Sequence, residues 1–276
     1  MFMRNIDNII SEAIHRILNE GIEFDVKTKT VSYNPDDENN VDTSLCNNPT
    51  LDDEIIPYVP VWSIFKRKIG EQGDGNPLVY AMKGERGWHF KTNKDERLIE
   101  QQIDKIASKF ATMYPIGVTI IVPSGNYLNQ KIANIVMSKS QNAILVKGAI
   151  RKMTTVEVND IVMDFNSKFR QYYGDDFNDS YYRLCEYLKQ MDDKRDGMFT
   201  RHFIRDNKMR NILDFTLKAT EDPYARFAKQ ITGQEVLVID DTISRGQTIK
   251  EACKIIQDTY APKSVTVLTL LSKLYQ

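Results

Sequence analysis

The residues Val236 to Thr248, Val-Leu-Val-Ile-Asp-Asp-Thr-Ile-Ser-Arg-Gly-Gln-Thr, restrict the fold more than any other stretch of this 276-residue chain. Four consecutive apolar residues, three of them Val or Ile, read as a short strand buried on both faces, the habit of strands in a parallel sheet. Two carboxylates, Asp240 and Asp241, follow at once. In open α/β sheets the carboxyl ends of the strands are where ligands bind, because loops and helix N-termini converge there. Ser244, Gly246 and Thr248 then supply two hydroxyls and one position free to adopt positive φ, and the pattern from Thr248 to Thr259 predicts a helix. A turn of this kind aims successive backbone N–H groups at one point, and the helix N-terminus adds partial positive charge, so the loop is a phosphate cradle. Acid pair and cradle together fit a sugar phosphate, held by its hydroxyls at one end and its phosphate at the other.

Spacing excludes two other phosphate motifs. A P-loop needs Gly-x-x-x-x-Gly-Lys-Ser/Thr after the strand, and neither the run from Gly233 nor the Gly246 region provides it. An aspartyl-phosphate phosphatase would need Asp-x-Asp with both carboxylates on one face, whereas here the acids are adjacent.

A second stretch follows the same logic. Gly117-Val-Thr-Ile-Ile-Val-Pro123 reads as a buried strand, Ser124-Gly125-Asn126 as a small polar loop, and Leu128, Ile132, Ala133, Ile135 and Val136 as one side of a helix. Residues 95 to 111 form another helical pattern, with Leu98, Ile99, Ile103, Ile106, Ala107 and Phe110 on one face. Residues 143 to 153 read as the next strand and its exit, and Ser264 to Leu271 as a last interior strand. Thr154 to about Lys194 is helical in pattern with a break at Gly174; its Tyr172, Tyr173, Tyr181 and Tyr182 suit core packing better than a base-stacking platform.

The region before this core is less regular. Residues 3 to 20 predict an amphipathic helix, stopped by Gly21, and the alternation from Ile22 to Tyr33 predicts a hairpin. Residues 34 to 53, rich in Asn, Asp, Pro and Thr, read as a surface loop, and residues 55 to 90 as several short elements broken by Pro57, Pro60 and the Gly-Asp-Gly-Asn-Pro run at 73 to 77.

Thirty-seven basic against 38 acidic residues leave a net charge of −1, which argues against nucleic acid and membrane surfaces as partners. No apolar run reaches the length of a spanning helix, and charges interrupt the first 20 residues where a signal peptide would be apolar. Cys46, Cys185 and Cys253 are isolated, as in a reducing compartment, and His89 and His202 have no companions at metal-ligand spacing. The expected location is the cytoplasm.

Apolar strand, acid-acid, two residues and Ser/Thr-x-Gly-x-Thr resembles the phosphoribosyl pyrophosphate (PRPP) motif of type I phosphoribosyltransferases, at Asp240, Asp241, Ser244, Gly246 and Thr248. Arg245 departs from it, standing where the family has a small residue. A long cation there either strengthens phosphate binding or occupies part of the cradle; the expectation is that it points outward. Two further segments, Pro77 to Gly84 and Met209 to Lys218, resemble ComF-like members. The resemblance implies an α/β fold built on the parallel sheet of the type I phosphoribosyltransferases. The core would be residues 76 to 276, with a helical insertion at about 154 to 208 and an N-terminal extension over 1 to 75.

The function it implies is transfer of the phosphoribosyl group of PRPP to a small-molecule, nucleobase-like acceptor with release of pyrophosphate. Asp240 and Asp241 would take the ribose hydroxyls, and Thr242, Ser244, Arg245, Gly246, Gln247 and Thr248 the 5′-phosphate. Ser124, Gly125 and Asn126, with Arg151 and Lys152 from a closing segment, would take the pyrophosphate. Mg²⁺ would enter through PRPP oxygens with no ligand directly from the protein, as suits an ion that favours phosphates and water. Ser244 stands where 6-oxopurine enzymes carry an aspartate, which argues against that acceptor class. The resemblance allows a homodimer. The rival implication keeps the fold without the chemistry: a PRPP- or nucleotide-binding regulator, or a ComF-like accessory protein of DNA uptake.

Overall fold

Val236, Leu237, Val238 and Ile239 are all buried, and they alternate between two separate hydrophobic clusters: Leu237 and Ile239 belong to one, Val236 and Val238 to the other. Successive side chains of a strand point to opposite faces, so this strand lies in the middle layer of a three-layer arrangement. The computed structural model describes residues 21–34, 41–68, 76–124, 127–164, 182–184, 186, 188, 199, 216–221, 225–243 and 246–275. The expected helix over 3 to 20 and most of the 154 to 208 insertion lie outside these residues.

In chain order the elements are β1 (Gly21–Asp25), β2 (Thr30–Asn34), β3 (Val41–Asp42), β4 (Thr50–Leu51), β5 (Val61–Lys68), α1 (Asn76–Lys83), β6 (His89–Phe90), α2 (Asn93–Met113), β7 (Val118–Ile121), α3 (Leu128–Lys139), β8 (Ile144–Val146), β9 (Ile150–Lys152), α4 (Thr155–Asp164), β10 (Leu217–Ala219), α5 (Arg226–Ile231), β11 (Glu235–Thr242), α6 (Gln247–Tyr260) and β12 (Ser264–Tyr275). The main sheet runs β6-β2-β1-β3-β5-β12-β11-β7-β8, and its five strands from β5 to β8 are parallel to one another. The chain is therefore α/β with a parallel centre. The β1–β2 hairpin forms as its alternation predicts, with Ile22 opposite Tyr33 and Phe24 opposite Val31.

Helices cover both faces. α2 begins at Thr92, whose hydroxyl accepts from the Asp95 backbone N–H at 3.2 Å and donates to the Asp95 carboxylate at 2.6 Å. Such a cap satisfies one of the donors that a helix start leaves open. Asp95 also accepts from the Tyr33 N–H, tying α2 to the hairpin. Ile99, Ile103, Ile106 and Phe110 of α2 join Leu128, Ile132 and Val136 of α3 and the side chains of α1 in the first cluster. On the other face α6 buries Ile249, Ala252, Cys253, Ile256 and Tyr260, at the spacing of a single helical stripe.

Two stretches differ from their sequence reading. Val61–Lys68 is an eight-residue strand inside the sheet, parallel to β12, with Val267 opposite Val61 and Leu271 opposite Phe65. The segment read as an extension thus supplies a strand of the parallel centre. Lys66 and Arg67 broke the apolar pattern that would have revealed it, yet Arg67 is only 2% exposed. The second stretch is 41 to 53, where Thr43, Ser44, Asn48 and Asp52 are buried although their composition suggested a surface loop. Around Asp42 its polar groups satisfy one another in place of water, while the Thr43 hydroxyl is buried with no hydrogen-bond partner among the described residues. The Asp42 carboxylate accepts from the Ser44 N–H at 2.8 Å, the Ser44 hydroxyl at 2.6 Å and the Asn47 amide at 2.7 Å. Lys109 of α2 closes the loop by donating to the carbonyls of Leu45 and Asn48.

Candidate functional site

The direction of the chain changes between β7 and β11, which are neighbours from Val118 opposite Val236 to Ile121 opposite Ile239. From β7 the chain passes through α3 to β8 on one side; from β11 it passes through α6 to β12 on the other. Connections that diverge in this way open a crevice at the carboxyl ends of the two strands, and open α/β sheets bind ligands there. Both segments singled out in the sequence, the acid pair with its cradle and the Ser124 loop, leave the sheet at this place.

Asp240 and Asp241 lie in the last turns of the β11 ladder, and Asp240 still pairs with Thr269 of β12. Asp240 is buried, 8% exposed. Its carboxylate accepts the Asp241 N–H at 2.9 Å and a long contact of 3.4 Å from the amide of Asn129 in α3. Burial first, and the charge of Asp241 second, raise the Asp240 carboxyl to about 7, against the opposing pull of these hydrogen bonds and of Lys83. Asp241 is paired with the Lys83 ammonium at 2.5 Å, both side chains being about one-seventh exposed. Its other oxygen accepts from the Thr242 hydroxyl at 2.9 Å.

Asn129 is fully buried, and its amide also reaches the Ser124 hydroxyl at 3.4 Å, so it links the two loops of the crevice. Its carbonyl oxygen has no hydrogen-bond partner among the described residues. Turning the amide over would let that oxygen accept from a protonated Asp240, in keeping with a carboxyl held near neutrality.

The cradle is fixed at both ends by the segment before α1. Gly246, the N-cap of α6, has φ +71°, and a Cβ added there would come within 2.6 Å of Ile55 Cγ2. Glycine is required here by conformation and by space together. At the other end Arg67 of β5 donates to the Ile243 carbonyl at 2.5 Å and to the Asn76 side chain at 2.9 Å. The guanidinium is a buried positive charge against the Ile243 carbonyl. Gln247 and Thr248 stand half-buried in the first turn of α6, and α6 begins with its Lys250 N–H donating to the Gly246 carbonyl. Ser244 and Arg245 lie outside the described residues, as do Gly125 and Asn126 of the other loop.

Arg151 and Lys152 are placed differently. They belong to β9, which leaves the main sheet and pairs with β10, Lys152 opposite Leu217. Both terminal nitrogens of Arg151 are held by Glu157 of α4, at 2.7 and 2.6 Å. Lys218 joins the same carboxylate at 3.1 Å, and the Arg151 pairing above all holds Glu157 well below the usual carboxylate range. The structure thus brings together Asp240, Asp241, Thr242, Ser124 and the start of α6, and ties Arg151 elsewhere.

Lys83, Asn129 and Arg67 were not among the residues marked by the sequence. Lys83 is the last residue of α1, and the helix end is held by the Tyr127 hydroxyl, which donates to the Met82 carbonyl at 3.2 Å. A lysine in a last helical turn reads as a solvated partner of the helix dipole. Asn129 carried a faint signal, an amide next to Leu128 on a side of α3 that is otherwise apolar.

A cavity of about 690 Å³ lies at the opposite edge of the sheet, lined by Gly117, Val118, Ile144, Gln234 and Glu235 at the strands' amino ends. It contains none of the acid-pair residues. Among the described residues no three His, Cys, Asp or Glu side chains come together as a metal site, and no helix is long and apolar enough to cross a membrane. Compared with known proteins, the chain matches no family model and no curated protein.

Proposed function

We propose that this protein binds PRPP in the crevice between β7 and β11 and is a phosphoribosyltransferase of the type I fold. One observation carries the reading: the acid pair Asp240–Asp241 ends a buried strand at the switch point, one strand away from the Ser124 loop, and runs into a glycine-capped helix. Hydroxyl acceptors, a polar loop and a phosphate cradle in that order match the three parts of PRPP.

In this reading Asp241 and an ionised Asp240 accept the ribose hydroxyls, and the N–H groups from Gly246 through Thr248 hold the 5′-phosphate. Departure of pyrophosphate from C1 leaves an oxocarbenium-like centre, and two carboxylates below the ribose offset its charge. The donor set fits Mg²⁺ held by substrate: two carboxylates, one of them raised toward neutrality, make a poor protein cage, and the ion favours phosphate oxygens and water. When bound, the ion neutralises the leaving diphosphate. In this reading the acceptor is a nucleobase-like small molecule.

A second reading, a regulator that binds PRPP without turnover, draws on the Lys83–Asp241 ion pair, which occupies one of the two acids. Calorimetric titration of the full chain with PRPP and Mg²⁺, followed by a screen for pyrophosphate release with candidate bases, separates the two. Binding with release supports the transferase, and binding without release supports the regulator. No binding in the millimolar range refutes both.

A further inference from the structure

Lys83 is positioned with more care than a surface lysine needs. α1 ends beside the acid pair because Gly84, at φ +65°, turns the chain, while the N–H groups of Gly84 and Glu85 close back on the carbonyls of Ala81 and Tyr80. Tyr127, from the loop between β7 and α3, holds the neighbouring Met82 carbonyl. The ammonium therefore arrives at the crevice from the helix that packs on its α2–α3 side, already stripped of most of its water. It has three donors, and Asp241 takes one of them.

We propose that Lys83 is the cation that binds the diphosphate of PRPP. The inference rests on the PRPP reading above. In PRPP the 1-diphosphate and the 2-hydroxyl are on adjacent ring carbons and on the same face of the ribose. A hydroxyl bonded to Asp241 consequently brings the diphosphate close to the group that already touches Asp241. Lys83 holds Asp241 in place by their ion pair while the crevice is empty, and turns its remaining donors to the diphosphate when the sugar binds. The role expected for Arg151 falls to Lys83 because Glu157 holds both terminal nitrogens of Arg151 in a different sheet.

The test is titration of wild type, Lys83→Met and Lys83→Arg with two probes, PRPP with Mg²⁺ and ribose 5-phosphate, which lacks the diphosphate. Lys83→Met is expected to weaken PRPP by about tenfold or more, the scale of one charge-assisted hydrogen bond, and to leave ribose 5-phosphate within about threefold. Lys83→Arg, which keeps the charge, restores most of the PRPP affinity. Should Lys83→Met fail to fold, Lys83→Gln, which retains a donor to Asp241, is read by the same criteria. Unchanged or tighter PRPP binding would overturn the proposal and make Lys83 an obstacle. Equal losses for both probes would overturn it as well, since Lys83 would then act only by holding Asp241. If wild type binds neither probe, the PRPP reading itself has failed, and the role of Lys83 with it.

Discussion

Gly246→Ala probes the cradle at its tightest point, and the structure separates two costs. The first is conformational: φ +71° at Gly246 lies in the left-handed region, which costs an L-residue about 1–2 kcal/mol. The second is steric, because the new Cβ would lie 2.6 Å from Ile55 Cγ2, and overpacking of this kind costs about 1–3 kcal/mol. Together they predict a loss of about 2–5 kcal/mol on denaturant unfolding. The two parts come apart in a double-mutant cycle with Ile55→Leu, which conserves volume and removes the methyl that causes the clash. In that background Gly246→Ala should cost only the conformational part, about 1–2 kcal/mol. Equal costs in both backgrounds would show that Ile55 does not press on the turn, and the claim that the segment before α1 shapes the cradle would fall. PRPP titration of the same four proteins then reports whether the strained turn still binds phosphate.

Asp240 should make stability and binding pH-dependent in opposite senses. Its folded value of about 7 lies above the ordinary 3.8, so the folded state holds the extra proton between them, and stability should fall as pH rises through that window. Asp240→Asn removes the slope, and a slope that survives in unfolding curves from pH 4 to 8 would assign it elsewhere. PRPP needs the ionised acid, so its affinity should rise by up to about tenfold per pH unit below 7 and level off above. Alanine at both Arg151 and Lys152 should leave PRPP affinity within about threefold while lowering the melting temperature through loss of the Glu157 pairing, and a selective loss of PRPP binding would return these residues to the site. Arg67→Met withdraws the donors to Ile243 and Asn76 and should cost about 2–4 kcal/mol in urea, whereas a loss below about 1 kcal/mol would mean that the turn does not lean on this guanidinium.

What was legible in the sequence was local. The acid pair, Gly246 and the start of α6 announce themselves within thirteen consecutive residues, because a buried strand, a turn and a helix each leave a short-range pattern. The strand and loop of β7 repeat that pattern, and the fold class follows from the alternation. The residues that complete the crevice are distant in sequence: Lys83 meets Asp241 across 158 positions, Asn129 meets Asp240 across 111, and Arg67 meets Ile243 across 176. Nothing in the spacing of a single lysine or asparagine encodes such a meeting. β5 was hidden for a related reason. Its Lys66 and Arg67 look solvent-facing in a pattern of apolar and polar residues, while in the fold the Arg67 side chain is buried on hydrogen bonds that only the finished sheet supplies.

The placement of β12 sets a timetable for assembly. This strand is the last to leave the ribosome of those described, yet it sits between β5 and β11 and is the only hydrogen-bonded link among the described strands between the hairpin side of the sheet and the β11-β7-β8 side. Its Val267 meets Val61 more than two hundred positions earlier, and loops of that length close slowly. Until they do, β5 and β11 each present an open edge, the feature by which nascent sheets recruit the wrong neighbour. Chains cut before Ser264 would lack this seam, and the open edges of β5 and β11 predict that they self-associate, which light scattering of the truncated chain would read.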